Sequence, residues 1–325
     1  MIRSALLAIA VFSFAASSQA AAPAKFPTYT TLAEAGDDYF FQGEFSGNTV
    51  TYGSTGLQVV AQGDGQFQGI LYAGGLPGEG GHWSRHATFA GKRDASTLKL
   101  VGDGVTLDVQ LGLAVLRDPA GRQLGVLRRA MRTSPTMGLQ PPPGAIVLFD
   151  GTSTAEFDEK AQISPSGNLM HGTMTKRPVG DFRLHLEFRL PYMPTATGQA
   201  RGNSGVYIQR RYEVQVLDSF GLEGVHNECG GLYKTKAPDI NMCLPPLVWQ
   251  TYDIDFRAAR FNATGQKTAD AVITVVHNGV TVQNNVAIPN KTGGGQPEGP
   301  EPLPILLQDH NNPVEYRNVW LAPRS

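Results

Sequence analysis

The sequence predicts an all-β protein: a two-sheet sandwich of jelly-roll type in its C-terminal half, preceded by a smaller β-rich domain. Several segments of the second half alternate apolar and polar residues with period two, as strands with one buried face do. Turn formers are abundant, with 38 glycines and 22 prolines among 325 residues, so elements are short and often interrupted. The long Ala/Leu/Glu/Lys stretches of helical proteins are missing, and many strands without helical intervals suit two packed antiparallel sheets.

The first element is a targeting segment. Arg3 gives a short positive region, Ala5 to Ala16 is apolar apart from Ser13, and Ser18-Gln19-Ala20 offers small residues for a signal peptidase. Residues 1–20 read as a signal peptide, which implies a periplasmic or secreted chain. The apolar run is too short for a bilayer span, no later segment reaches that length, and no cysteine follows it to carry a lipid. No membrane insertion is expected.

The length that remains favours two domains and a sizeable core. The formal net charge is −1 and only 17% of residues are charged. That argues against a nucleic-acid partner or an acidic membrane surface, since both leave a basic footprint.

Residues 21–140 form the N-terminal β-rich domain. Val50-Thr51-Tyr52, Leu57 to Ala61, Phe67 to Tyr72 and Leu98 to Val101 read as strands, separated by glycine turns such as Gly63-Asp64-Gly65. Val105 to Leu116 alternates only loosely. His82, Trp83 and His86 cluster in a glycine-rich loop, more simply a surface loop than a site. Met131 to Pro143 reads as a linker, because consecutive prolines favour an extended conformation and cannot continue a helix or ladder.

Residues 141–325 form the second domain. In Asp181 to Leu190 the side chains of Phe182, Leu184, Leu186, Phe188 and Leu190 point one way, and Arg183, His185, Glu187 and Arg189 the other. Tyr212 to Val216 and Tyr252 to Arg257 repeat the rule, with Asp253, Asp255 and Arg257 expected on a solvated face. Val272 to Val282 is a hairpin, since Asn278-Gly279 suits a type I′ turn. Val314 to Leu321 is a closing strand.

An ordered set of short motifs then carries a resemblance. Leu148-Phe149-Asp150-Gly151 is followed by Gly180-Asp181-Phe182 and Arg201-Gly202-Asn203-Ser204-Gly205-Val206-Tyr207. Tyr212-Glu213-Val214-Gln215-Val216-Leu217-Asp218, Gly231-Leu232-Tyr233 and Trp249-Gln250-Thr251-Tyr252 come next, and Leu307-Gln308-Asp309-His310 and Val314 to Val319 close the series. Over about residues 145–323 the chain resembles the 3-keto-disaccharide hydrolase family. The resemblance implies a concanavalin A-like sandwich acting on glycosides whose C3 hydroxyl is oxidised to a ketone, so the expected partner is an oxidised sugar substrate.

Such a substrate dictates a chemistry. A 3-ketone acidifies the C2 proton, a base can remove it, elimination then breaks the C1–O bond, and water can add afterwards. The site needs a base, a group that stabilises the enolate, and an acid for the leaving group. An ordinary glycosidase would instead need two flanking carboxylates. Glu213, His310, Arg201 and Asp218 are the catalytic candidates. Glu213 and Gln215 share the polar face of one strand, with Asp218 at its end; His310 stands among polar turn residues. Arg201 precedes a tight Gly-Asn-Ser-Gly turn. Gln215, Tyr207, Asn203, Tyr233 and Trp249 are substrate-binding candidates, the aromatics as stacking platforms for a pyranose. No cofactor is demanded, although Glu213 or His310 could serve a divalent metal; His226 and Glu228 form at most a weak metal pair. A non-catalytic sugar-binding module is the rival reading, because such sandwiches serve both purposes.

Cys229 and Cys243 are the only cysteines. In an exported chain they are expected to form a disulfide, stabilising by roughly 3 kcal/mol. The alternative, a pair of thiol metal ligands, lacks the usual Cys-x2-Cys spacing.

Overall fold

The computed structural model describes residues 25–80 and 83–324. The signal peptide expected at 1–20 and His82 lie outside the described residues. A short helix, α1 (Gly36–Phe41), leads into eight antiparallel strands: β1 (Gly43–Thr49), β2 (Gly53–Gly63), β3 (Gln66–Ala73), β4 (Ser84–Asp94), β5 (Thr97–Gly102), β6 (Val105–Gln110), β7 (Leu113–Arg117) and β8 (Gln123–Ala130). Each pairs with the next and β8 returns to β1, closing a barrel. Closure removes both sheet edges, which would otherwise be open to pairing with other chains. Phe45, Leu57, Phe67, Phe89, Leu100 and Leu116 fill the interior. Val50-Thr51-Tyr52, expected as a strand, is instead the turn between β1 and β2: Val50 is exposed, and the next residue, Gly53, takes a positive φ of 62°.

The second unit is the expected sandwich. Its large sheet runs in the order β10 (Leu169–Met170), β21 (Glu315–Pro323), β12 (Phe182–Arg189), β15 (Trp249–Arg257), β18 (Ala271–His277), β19 (Val280–Ile288), with β9 (Ile146–Phe149) also on β21. The small sheet runs β11 (Thr173–Met174), β20 (Leu306–Leu307), β13 (Ser204–Ile208), β14 (Tyr212–Val216). A separate hairpin joins β16 (Arg260–Phe261) and β17 (Lys267–Ala269). The β18–β19 turn has φ of 50° at Asn278 and 82° at Gly279, the left-handed pair that a type I′ turn needs. Phe182, Leu184, Leu186 and Phe188 of β12 meet Val206, Val214 and Val216 of the small sheet in the core.

Barrel and sandwich are packed together. Val60, Ile70 and Tyr72, on the outer wall of β2 and β3, join the sandwich core beside Phe220 and Met242, and burying each is worth roughly 1.5–3 kcal/mol. Tyr39 donates to the Pro246 carbonyl at 2.8 Å and Arg85 to that of Gly221 at 3.1 Å.

The segment expected as a linker is docked as a strap on the outer face of the large sheet. Ser134 shares a hydrogen bond with Thr251 at 2.6 Å, the Gly138 amide donates to Glu187 at 2.6 Å, and the Leu139 carbonyl accepts from Trp320 at 3.0 Å and Asn318 at 3.1 Å. The strap buries a face that alternation alone would leave in water. His185 and Glu187 are fully buried and Asp253 is 7% exposed, so Asp253 does not belong to a solvated face. Once covered, these polar groups pair with each other: His185 Nδ1 lies 3.0 Å from Asp253, and Arg317 donates to Glu187 at 2.7 Å.

Candidate active site

The outer face of the small sheet gathers the polar candidates. In the β13–β14 ladder Tyr207 opposes Glu213 and Gly205 opposes Gln215, so all four share one face, while Val206, Val214 and Val216 point into the core. Alternation extends this row to Asn203, and the Gln308 amide, which donates to the Gly205 carbonyl at 2.9 Å, brings Gln308 onto the neighbouring strand.

Glu213 is the centre of this face. It is 2% exposed, and its Oε2 has no hydrogen-bond partner. Burial pushes its pKa up to about 7, and the Tyr207 hydroxyl beside it limits the rise. Its backbone amide donates to Thr292 Oγ1 at 2.7 Å, and its carbonyl accepts from Tyr233. The carboxylate leans over Gly205, where any β-carbon would stand 2.5 Å from Oε1. Overhead runs Gly293-Gly294-Gly295, close enough that a β-carbon on Gly294 would be 3.4 Å from the Tyr207 hydroxyl.

Gln215 donates to Asn203 at 3.1 Å and Gln199 at 3.3 Å, and Asn203 donates to the Gln199 carbonyl at 2.7 Å. Gln215 Oε1 and Gln308 Oε1 are buried without partners, like Glu213 Oε2. A buried acceptor with no donor costs roughly 1–3 kcal/mol. Three on one small face suit a ligand rich in hydroxyls.

The family model for a 3-keto-alpha-glucoside-1,2-lyase-like domain matches residues 144–322, more than half of the chain. The chain belongs to this family. Among solved structures, a "putative glycosyl hydrolase" from Parabacteroides distasonis ATCC 8503, at 2.13 Å, is 32% identical with a TM-score of 0.52, covering 56% of this chain and 85% of that one. A second protein so titled from the same organism, at 1.70 Å, is 16% identical with a TM-score of 0.41, covering 56% of this chain and 94% of that one. No protein of curated function matches the sequence.

The family resemblance does not bring every expected residue into the site. Glu213, Gln215, Asn203 and Tyr207 stand together. Tyr233 is adjacent and half-buried, its ring against Gly293. Arg201 and Asp218 bond each other at 2.6 Å beyond the end of β14, where Asp218 also accepts from the Phe220 amide at 3.3 Å. This pair holds two loops; both Asp218 oxygens are engaged, and Arg201 Nη2 is buried without a partner. His310 is exposed and has no hydrogen-bond partner among the described residues, so nothing orients it as an acid or base. Trp249 lies on the other sheet, with Arg317 4.0 Å and Arg189 5.0 Å from its ring centroid, and cannot be a sugar platform for Glu213.

The two cysteines expected to form a disulfide stand next to each other. Cys229 and Cys243 are free, buried thiols. The Cys229 sulfur lies 3.1 Å from the Tyr252 hydroxyl and Cys243 donates to the Leu217 carbonyl at 3.5 Å. Burial pushes the Cys243 thiol well above its usual range. Among the described residues no three His, Cys, Asp or Glu side chains form a metal cradle, and Glu228 is spent on the Gly224 and Val225 amides.

Two groups escaped the sequence reading. Gln308 was legible in principle, since Leu307 beside it is a core residue. His171, whose Nδ1 lies 3.2 Å from Asp309 Oδ1, sits between two two-residue strands with no alternation to read.

Proposed function

We propose that the chain cleaves 3-keto-glycosides, with Glu213 as the base that removes the C2 proton. The observation that carries this is the state of Glu213: a buried carboxylate with one oxygen unpartnered, a pKa raised to about 7, and bare glycine beneath it. A base poised near neutrality matches a carbon acid made acidic by a neighbouring ketone. Tyr207 stays protonated, because burial and then the charge of Glu213 raise its pKa, so its O–H is a donor for the enolate oxygen. Gln215, Gln308 and Asn203 offer amide groups to ring hydroxyls.

The cycle follows from these roles. Glu213 takes the proton from C2, the electrons form a C1=C2 bond conjugated with the ketone, and the C1–O bond breaks. The departing oxygen takes up a proton, water adds at C1 and releases one, and Glu213, its carboxyl exchanged with solvent, protonates C2, so the net reaction is hydrolysis. With the signal peptide read from residues 1–20, the proposed place of action is the periplasm or the exterior.

The test is turnover of 3-keto-glucosides beside their unoxidised parents. The proposal requires cleavage of the ketones alone. Binding of both without cleavage of either would make the protein a sugar-binding module.

A further inference from the structure

We propose that His171, beside Asp309, is the acid that protonates the leaving group across the outer face of the small sheet from Glu213; this rests on the reading of Glu213 as the C2 base. The placement follows from the small sheet. The Glu213 carboxylate leans over Gly205 on β13. The next strand brings Gln308 beside Gly205, and the Gly172 amide donates to the Leu307 carbonyl at 2.8 Å, which sets Gly172 on the far side of that strand. Asp309 lies over Gly172, where a β-carbon would meet its Cβ at 3.3 Å, and its Oδ1 approaches His171 Nδ1 to 3.2 Å, although the buried Nδ1 completes no well-aligned hydrogen bond. From Gly205 to Gly172 is two strand spacings, about 10 Å. Between these bare positions stands Gln308, whose Oε1 is buried and unpartnered. The face thus carries a carboxylate at one end of this row, a carboxylate–imidazole pair at the other, and an unpartnered acceptor between them.

That spacing suits the stereochemistry of elimination from an α-glucoside. In the chair form the C2–H and C1–O bonds are antiparallel, so base and acid must attend opposite faces of the ring. One carboxylate cannot do both in a single step. A pyranose standing between Glu213 and His171 meets each on the required side.

The proton balance closes. Glu213 gains the C2 proton as the C1–O bond breaks, and the departing oxygen takes the Nε2 proton of His171 in its imidazolium form; burial lowers the pKa of His171 and Asp309 offsets only part of that, so the imidazolium gives up its proton readily. The neutral imidazole then takes a proton from the water that adds to C1, and Glu213, its carboxyl proton exchanged with solvent, protonates C2. Both groups end as they began, and no redox partner is needed.

Leaving-group dependence tests this. A 4-nitrophenyl 3-keto-α-glucoside departs as a stable anion, whereas the methyl 3-keto-α-glucoside needs a proton. His171→Gln should lose about 100- to 1,000-fold in kcat on the methyl substrate and only a few-fold on the nitrophenyl one, with deuterium uptake at C2 retained. Asp309→Asn, which leaves the imidazole in place, should show the same contrast more weakly. Equal losses on both substrates in both folded variants, or no loss on either, would overturn the role of His171. If the wild-type product gains no solvent deuterium at C2, the base reading of Glu213 fails whatever the leaving-group ratio.

Discussion

The Glu213 carboxylate occupies the space that a side chain on Gly205 would fill, with only 2.5 Å between Oε1 and the position of a β-carbon. Residue 205 therefore decides where the base stands. Gly205→Ala should push the carboxylate aside while leaving the β13–β14 ladder intact. Because a displacement of about 1 Å can cost about 100-fold, kcat/KM on a 3-keto-glucoside should fall by about that factor with little change in melting temperature. Wild-type activity in a folded Gly205→Ala protein would show that the carboxylate position does not matter.

Glu213 also costs stability, with a definite sign. Its pKa rises from an ordinary 4.5 to about 7 on folding. Between those values the unfolded chain has released the proton and the folded chain still holds it, so stability falls as pH rises across that window. Glu213→Gln removes the penalty. Denaturant melts should show the variant more stable than wild type by about 2–4 kcal/mol at pH 8, given 1.36 kcal/mol per pKa unit, and nearly equal at pH 4. A variant less stable at pH 8 would contradict the buried, unpartnered state of this carboxylate.

His185 behaves oppositely. Burial pulls its pKa down, but hydrogen bonds with Asp253 and Glu187 outweigh that and leave it raised. Asn318 and Trp320 also face it, and Arg183 lies 3.6 Å from the same Asp253. A raised histidine stabilises fully below its unfolded pKa and loses that contribution as pH climbs through the folded value. His185→Gln should destabilise by about 2 kcal/mol at pH 6 and by less at pH 9. An unchanged difference across that range would exclude a charged His185.

The strap gives a mechanical prediction. Ser134 is buried, and residues 134–139 bond to Thr251, Glu187, Asn318 and Trp320. Limited proteolysis of the native protein should spare this segment although its prolines and polar residues look like a linker. Early cleavage between 134 and 139, with the sandwich still folded, would show that the strap detaches.

Much of this was legible because it is local. The alternation in Phe182 to Arg189 and Tyr212 to Val216 placed core and polar faces correctly, and Asn278-Gly279 marked its turn. What alternation cannot tell is whether a polar face meets water. His185 and Glu213 are buried by segments far away in sequence: the strap lies 49 residues from Glu187, and Thr292 lies 79 from Glu213. Barrel closure likewise depends on β8 pairing with β1 across the whole domain. Cys229 and Cys243 do neighbour each other, as their pairing would require, but stand as free thiols whose sulfurs also contact Tyr252 and the Leu217 carbonyl.

The most direct test of the central claim is turnover of a 3-keto-α-glucoside in deuterated water by wild type and by Glu213→Gln, followed by NMR of the product. Solvent deuterium should appear at C2 with the wild-type protein, and the variant should lose most cleavage and exchange. Cleavage that leaves C2 undeuterated, or equal cleavage of the unoxidised glucoside, would contradict that claim.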